Sequence, residues 1–139
     1  MAASTAARTS TGEQVTLRVP ADAAYLGVVR TAAAGLGARL DLTLDELEDL
    51  RIAVDEACAL LLDPDPPASG TTSDQLTAVF TLEADGLSVR ISGPSRTLPD
   101  QDTFAWAVLE ALVGDVQSGS DGPSGSYVEL RHVRREIAR

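Results

Sequence analysis

The sequence predicts an α+β fold, a two-layer α/β sandwich in which helices cover one face of a mixed sheet of about four or more strands. Two observations support this. Short segments that alternate apolar and polar residues are typical of half-buried strands, and longer segments with apolar residues every three or four positions are typical of helices. Their order along the chain is strand, helix, helix, strand, strand, helix, strand.

The N-terminal part is predicted to contain a leader, one strand and one helix. Residues 1–13 are small, polar and without periodicity, so we expect a disordered leader. Val15–Val19 alternates as a strand does, and Pro20 ends it. The next helix is predicted over residues 21–38, with an apolar stripe on one face and its end at the glycines of the segment AAAGLGA.

The clearest helix is the stretch DLTLDELEDLRIAVDEACALLL. Thr43 and Glu46 form a T-x-x-E capping box at its start. On a helical wheel, Glu56 lies opposite the apolar stripe, with Ile52 and Leu60 one turn before and after it. We expect this carboxylate to point away from the core, either into solvent or beside a partner or pocket wall. The stripe itself comprises Leu47, Leu50, Val54, Ala57, Cys58 and Leu61.

Three strands and a helix are predicted for the second half. Gln75–Glu83 and Leu87–Ser92 alternate well, and the turn signal ADG joins them as a hairpin. A helix is predicted from Phe104 to about Gly114. The segment QSGSDGPSGS is interpreted as a turn-rich connector, and Tyr127–Val133 as the last strand.

Composition bounds the class of protein. With 139 residues and 44% apolar side chains, we expect one globular domain over residues 14–134, followed by a short basic tail at 135–139. The single cysteine, the lack of a signal peptide and the lack of a long apolar run predict a cytoplasmic protein without a membrane span. The net charge of −10 disfavours direct contact with nucleic acid and favours a protein partner.

The order of elements, the helix phrase quoted above, and FAWAVLEALVGDVQ followed by YVEL resemble the bacterial anti-sigma factor serine kinases, above all those of actinobacteria. The resemblance covers about residues 14–133. It implies the histidine-kinase-like ATPase (Bergerat) fold. Family members sequester a sigma factor, often as homodimers. Many use ATP and Mg²⁺ to phosphorylate a serine on an anti-anti-sigma antagonist of the STAS type.

The first two nucleotide motifs of that family are altered in this chain. On the second helix, Glu56 matches the family's general base. Leu60 stands four residues later, where the family has an asparagine that helps to hold Mg²⁺, and its side chain has no oxygen to ligate a metal. In RISGPSRTLPD, Gly93 takes the place of the aspartate that reads adenine, and Ser95 and Thr97 take the places of the following glycines.

The third motif is a glycine pair that opens the third helix, whose amides cradle phosphate. Thr103 and Ala105 replace these glycines, and Asp102 adds a negative charge beside them. Phosphoryl transfer depends on positioning and on neutralising the γ-phosphate. The resemblance therefore implies a regulator without ATP turnover, with no metal site and no cofactor expected and Glu56 left as the only catalytic-type residue.

Three functions remain open. The first is a sigma-binding module controlled by a STAS antagonist. Arg30 on the first helix aligns with a residue that relatives use to contact both partners; alternatively, it is an ordinary solvated arginine. The second is an active kinase that binds Mg·ATP in a non-standard way and uses Glu56. The third is a scaffold that binds STAS proteins only.

Three further side chains are given structural roles. We expect His132 to be a lone surface or strand histidine, and Cys58 to be a small core residue. Trp106 is interpreted as a packing residue, although tryptophan is also a frequent interface anchor.

Overall fold

The computed structural model of this chain describes residues 10–62, 74–95, 97–120, 122 and 125–134, with side chains from residue 13 onward. It confirms the α+β class, with one helix layer and one sheet. The regular elements, in chain order, are β1 (Ser10–Pro20), a 3₁₀ turn (Ala23–Tyr25), α1 (Leu26–Arg39), α2 (Leu44–Leu61), β2 (Gln75–Glu83), β3 (Gly86–Gly93), α3 (Phe104–Val113), β4 (Asp115–Ser120) and β5 (Ser126–Val133).

The five strands form one sheet in the order β1-β2-β3-β5-β4. The prediction of a mixed sheet was wrong, because every pairing among the described strands is antiparallel. Two successive helices join β1 to β2 and return the chain to the end where β1 finished, so Pro20 pairs with Gln75. The single helix α3 sets β4 parallel to β3, but β5 lies between them and is antiparallel to both.

Both edge strands differ from the sequence-based expectation. β1 begins at Ser10 rather than Val15, so residues 10–13 are strand and not part of a disordered leader. β4 occupies part of the segment interpreted as a turn-rich connector. An edge strand needs little apolar character, which explains why alternation did not reveal either feature. The rest of the leader, residues 1–9, and the tail at 135–139 lie outside the described residues.

The core lies between the helices and one face of the sheet. The strand register places Phe80, Val89 and Leu130 side by side across three strands, and all three are fully buried. The helices pack on this face: α1 contacts β2, α2 contacts β3 and β5, and α3 contacts β4 and β5. This confirms the two-layer arrangement with helices on one face.

Helix boundaries follow local chemistry with one exception. Thr43 accepts from the Glu46 amide while the Glu46 side chain accepts from the Thr43 amide, which confirms the capping box. The predicted glycine stop of α1 was wrong, since the helix runs through to Arg39. Gly37 instead allows close packing, because a Cβ atom there would lie 2.7 Å from a methyl group of Leu47. Within the described residues, each helix is too short or too polar to cross a bilayer.

Candidate functional site

The second helix, α2, carries Glu56, which the family resemblance assigns as the general base. Glu56 is half-buried. Ile52, one turn earlier, is 44% exposed, as the wheel predicted for this side of the helix. Leu60, one turn later, is partly buried and packs against the hydrophobic core. The i, i+4 pair thus consists of a carboxylate and an aliphatic side chain that packs against the core.

The segment after β3 is hydrogen-bonded to the end of α2. Gly93 is buried, and a Cβ atom there would lie 2.6 Å from the carbonyl oxygen of Leu61. The Ser95 amide donates to that same oxygen over 3.0 Å. The Ser95 hydroxyl donates to the carbonyl oxygen of Thr97, also over 3.0 Å. The fold therefore places Gly93 and Ser95 against Leu61, the residue after Leu60. The amide and the hydroxyl of Ser95 are both used in local hydrogen bonds.

The start of α3 lacks a side-chain cap. Thr103 occupies the N-cap position but makes no side-chain capping bond; its hydroxyl donates to the carbonyl oxygen of Asp100 over 2.7 Å. Phe104 is 84% exposed, and Ala105 is half-buried. Trp106 is fully buried, which agrees with a packing role, and its indole N–H has no hydrogen-bond partner in the described structure.

These residues do not fit Mg·ATP. Leu60 offers no oxygen to a cation that requires oxygen ligands. Gly93 offers no carboxylate to adenine, and the close approach of Leu61 and Leu76 leaves no room for a side chain in its place. Within the part of the chain that the structure describes, no three His, Cys, Asp or Glu side chains are grouped so as to hold a metal ion.

Arg30 and Asp55 form an ion pair that links α1 to α2. An Nη1 atom of Arg30 lies 2.9 Å from an oxygen of Asp55, and the two side chains are 38% and 43% exposed. The Arg30 side chain is therefore neither fully solvated nor buried. A pair at this exposure contributes little to stability, so the guanidinium can bind another carboxylate at small cost.

A buried polar pair was missed at the other end of α2. His132 is only 4% exposed, and its Nε2 atom lies 3.0 Å from Oε2 of Glu46. The expectation of a strand histidine was right, but the expectation of a surface one was wrong. The alternation of Val128 and Leu130 with polar neighbours already places His132 on the inward face, and this signal was overlooked.

Cys58 lies in the core, as expected. Burial, reinforced by the negative charge of Asp55, raises the pKa of its thiol to about 12. A thiol in this environment stays protonated and unreactive at neutral pH.

A separate open cavity of about 420 Å³ lies at the other end of α3, lined by residues 111–115 and 131–133. It is formed where α3 passes into β4 and where β5 ends. None of the seven motif positions described above lines it.

The geometry therefore defines a class of protein: a small α+β domain with three helices on one face of a five-stranded antiparallel sheet. No family model matches the chain. Curated relatives do match it. The chain is 30% identical over 102 residues to the serine-protein kinase RsbW of Bacillus mycoides, and the alignment covers 73% of this chain and 58% of the relative. It is 34% identical over 110 residues to the anti-sigma-F factor RsbW of Mycobacterium tuberculosis, covering 78% and 62%.

A solved structure agrees in fold. The RsbU and RsbW domains of Rv1364c from Mycobacterium tuberculosis superpose with a TM-score of 0.66 at 15% identity, covering 91% of this chain and 34% of that one. These similarities support placing the chain in the RsbW family of anti-sigma, serine-kinase-like proteins. It spans about three-fifths of the length of the two curated relatives.

Proposed function

We propose that this chain is an anti-sigma regulatory factor. It holds a sigma factor by protein contact, a STAS-type anti-anti-sigma antagonist controls it, and it acts as a cytoplasmic homodimer without ATP turnover of its own. Relatives named anti-sigma-F factor and serine-protein kinase support the family part of this proposal. The net charge of −10 supports a protein partner over nucleic acid.

One observation carries the absence of ATP turnover: the place of the metal-binding asparagine is filled by Leu60, whose side chain packs against the core. A metal that bridges the phosphates must be held by oxygen atoms. The segment from Gly93 to Thr97 reinforces this, because its hydrogen bonds join it to α2 and to itself. Regulation then depends on competition between protein partners for one surface.

That surface includes the exposed side of Arg30. Its guanidinium is held by Asp55 from one side and remains available to a carboxylate on a partner. Arg51 provides a matched control, because it is 42% exposed and is also ion-paired, to Glu48. We expect Arg30→Glu to weaken the sigma complex by about tenfold or more, as expected for an interface arginine. Arg51→Glu should change it less than about threefold.

The test combines two measurements on the purified chain. Native mass spectrometry with each candidate sigma factor should show a complex at micromolar concentration, and calorimetric titration with Mg·ATP should show no heat of binding. The absence of a complex with every candidate sigma factor would contradict sequestration. Tight Mg·ATP binding would contradict the proposed loss of the nucleotide site.

The alternative is an active serine kinase. The retained, half-buried Glu56 favours it, since this is the family's general-base position. Radiolabelled ATP and a STAS antagonist separate the two functions. Phosphate transfer that is lost in Glu56→Ala and kept in Glu48→Ala would establish the kinase. No transfer by the unaltered chain would contradict the kinase.

A further inference from the structure

The open cavity of about 420 Å³ at the C-terminal end of α3 has no part in the proposed function. Its volume falls within the range of sites that hold small ligands. Its lining combines the apolar side chains of Leu112, Val113 and Val133 with polar groups of α3, β4 and β5. A ligand that fits this lining has an apolar stem and a polar end.

The last turn of α3 supplies hydrogen-bond acceptors to this lining. The Gly114 amide donates to the carbonyl oxygen of Glu110 over 2.9 Å. Within the described residues, no backbone amide from outside the helix donates to the carbonyl oxygens of residues 111–113, and these three residues line the cavity. Free carbonyl groups at a helix C-terminus carry partial negative charge, so they favour a cation.

The end of β5 adds further backbone groups. β4 begins at Asp115, opposite Arg131, so β5 continues past the start of β4. The Arg134 amide donates to the carbonyl oxygen of Asp85, on the β3 side. Because backbone groups alternate in direction along a strand, the N–H and C=O of Val133 point to the other side, where the described structure has no strand to pair with them.

Asp115 gives the cavity a carboxylate. It lies directly across the ladder from Arg131, yet Nε of Arg131 lies 3.2 Å from Oε1 of Glu83, and Nη2 lies 3.2 Å from Oδ1 of Asp85. Within the described residues, Asp115 therefore forms no ion pair. α3 and β4 contain no basic residue that could neutralise it.

We propose that this cavity binds an alkylammonium or alkylguanidinium group, as carried by a free polyamine or by a lysine or arginine side chain. The alkyl stem packs against Leu112 and Val133, and the cationic end binds the Asp115 carboxylate and the carbonyl oxygens that end α3. The net charge of −10 also favours a cationic ligand. This site is separate from the altered motif positions and goes beyond the proposed function.

The first test compares three ligands that share a five-carbon stem: pentylammonium, pentanol and pentanoate. Each is titrated into the full chain while the backbone amide signals are followed by NMR. Pentylammonium should shift the amides of residues 111–115 and 131–133, with a dissociation constant of about 1 mM, as expected for six non-hydrogen atoms. Pentanol should bind about tenfold more weakly, and pentanoate should not bind.

Two pairs of variants locate the site. Asp115→Asn should raise the dissociation constant of pentylammonium about fivefold to tenfold, because it removes the charge but keeps the shape. Glu110→Gln removes an exposed charge from the same helix outside the lining and should change the constant less than about twofold. Ala111→Phe should fill the cavity and abolish binding, whereas Ala107→Phe, at an exposed alanine one turn earlier, should not.

The source of the cation is distinguished by two further ligands, spermidine and a blocked peptide with one lysine between glycines. Tighter binding of spermidine assigns the cavity to a free polyamine, and tighter binding of the peptide assigns it to a side chain of a protein partner. Circular dichroism and thermal unfolding show whether each variant retains the fold. If Ala111→Phe unfolds the chain, Asp115→Asn decides, because it changes an exposed side chain without changing its size.

The absence of shifts at the cavity amides with about 20 mM pentylammonium, well above the expected constant, would overturn the proposal. So would pentanoate that binds as well as pentylammonium, or an affinity that is unchanged in Asp115→Asn. Sigma binding is measured separately on the same variants. A chain that binds a sigma factor but no alkylammonium contradicts the cavity proposal alone, and the reverse result contradicts the proposed function alone.

Discussion

The Oε2 atom of Glu46 lies 3.0 Å from Nε2 of His132, and the two side chains are only 1% and 5% exposed. The other oxygen of Glu46 accepts from the Thr43 amide. One carboxylate therefore closes the capping box of α2 and ties the start of that helix to the end of β5. Because this buried carboxyl group has a hydrogen-bond partner in each layer, it links the helix layer to the sheet.

Removing the Glu46 side chain should therefore destabilise the fold. Glu46→Ala deletes the cap and leaves His132 buried beside a cavity, so we expect the free energy of unfolding to fall by about 3 kcal/mol. Urea denaturation measures this free energy of unfolding. Glu48→Ala, two residues on and 61% exposed, should change it by no more than about 0.5 kcal/mol. Equal losses of unfolding free energy for the two substitutions would show that the buried Glu46–His132 pair does not stabilise the fold.

Cys58 should make stability fall at alkaline pH. Its pKa is raised from 9.0 to about 12 in the folded protein. Above pH 9 the unfolded chain loses the thiol proton while the folded chain keeps it, so the free energy of unfolding declines from about pH 9 towards 12, by up to about 1.4 kcal/mol per pH unit. The chain has no lysine to obscure this range.

The control is Cys58→Ala, which lacks the thiol. Comparing slopes with pH, rather than absolute stabilities, removes the cost of the small cavity that this substitution creates. The native thiol should also resist Ellman's reagent at pH 8 and react after unfolding. A native thiol that reacts rapidly, or equal alkaline slopes in both proteins, would contradict the prediction.

Gly93→Ala should destabilise the fold. The new Cβ atom would lie 2.6 Å from the carbonyl oxygen of Leu61 and 2.7 Å from a methyl group of Leu76, so either the loop or α2 must shift. We expect a loss of about 2 kcal/mol, within the usual cost of overpacking. Gly35→Ala is the matched control, because a Cβ atom there meets nothing within 4 Å. Thermal unfolding should show an unchanged or higher midpoint for the control.

Leu60→Asn should not create an ATP site. It restores an oxygen at the metal position, but Gly93, Thr103 and the hydrogen-bonded Ser95 remain unsuited to adenine and phosphate. It also removes apolar contacts with the core, so we expect lower stability, by about 1–2 kcal/mol, and no heat on titration with Mg·ATP. Micromolar Mg·ATP binding by this single variant would show that the loss of one ligand alone had inactivated the site.

Local patterns predicted much of this protein. The capping box and the 3.6-residue period of α2 were sufficient for that helix, because both act within a few residues of chain. The β2–β3 hairpin followed from its alternation and its turn, and the placement of helices on one face followed from the burial that alternation implies. The motif positions, from Leu60 to Ala105, were assigned through the family resemblance and not through a local pattern, although the inability of a leucine to ligate Mg²⁺ holds in any fold.

Only the tertiary structure decided what depends on residues distant in sequence. The strand directions required knowing where α1 and α2 return the chain. The first residues of β1, Ser10 to Gln14, and the whole of β4 depend on pairing with a neighbouring strand rather than on their own pattern. Arg30 meets Asp55, 25 residues away, and Glu46 meets His132, 86 residues away. The sequence determines which side chains carry charge and which can form hydrogen bonds. Packing determines the partner of each group, because these interactions act only over a few ångströms whereas the partners lie tens of residues apart along the chain.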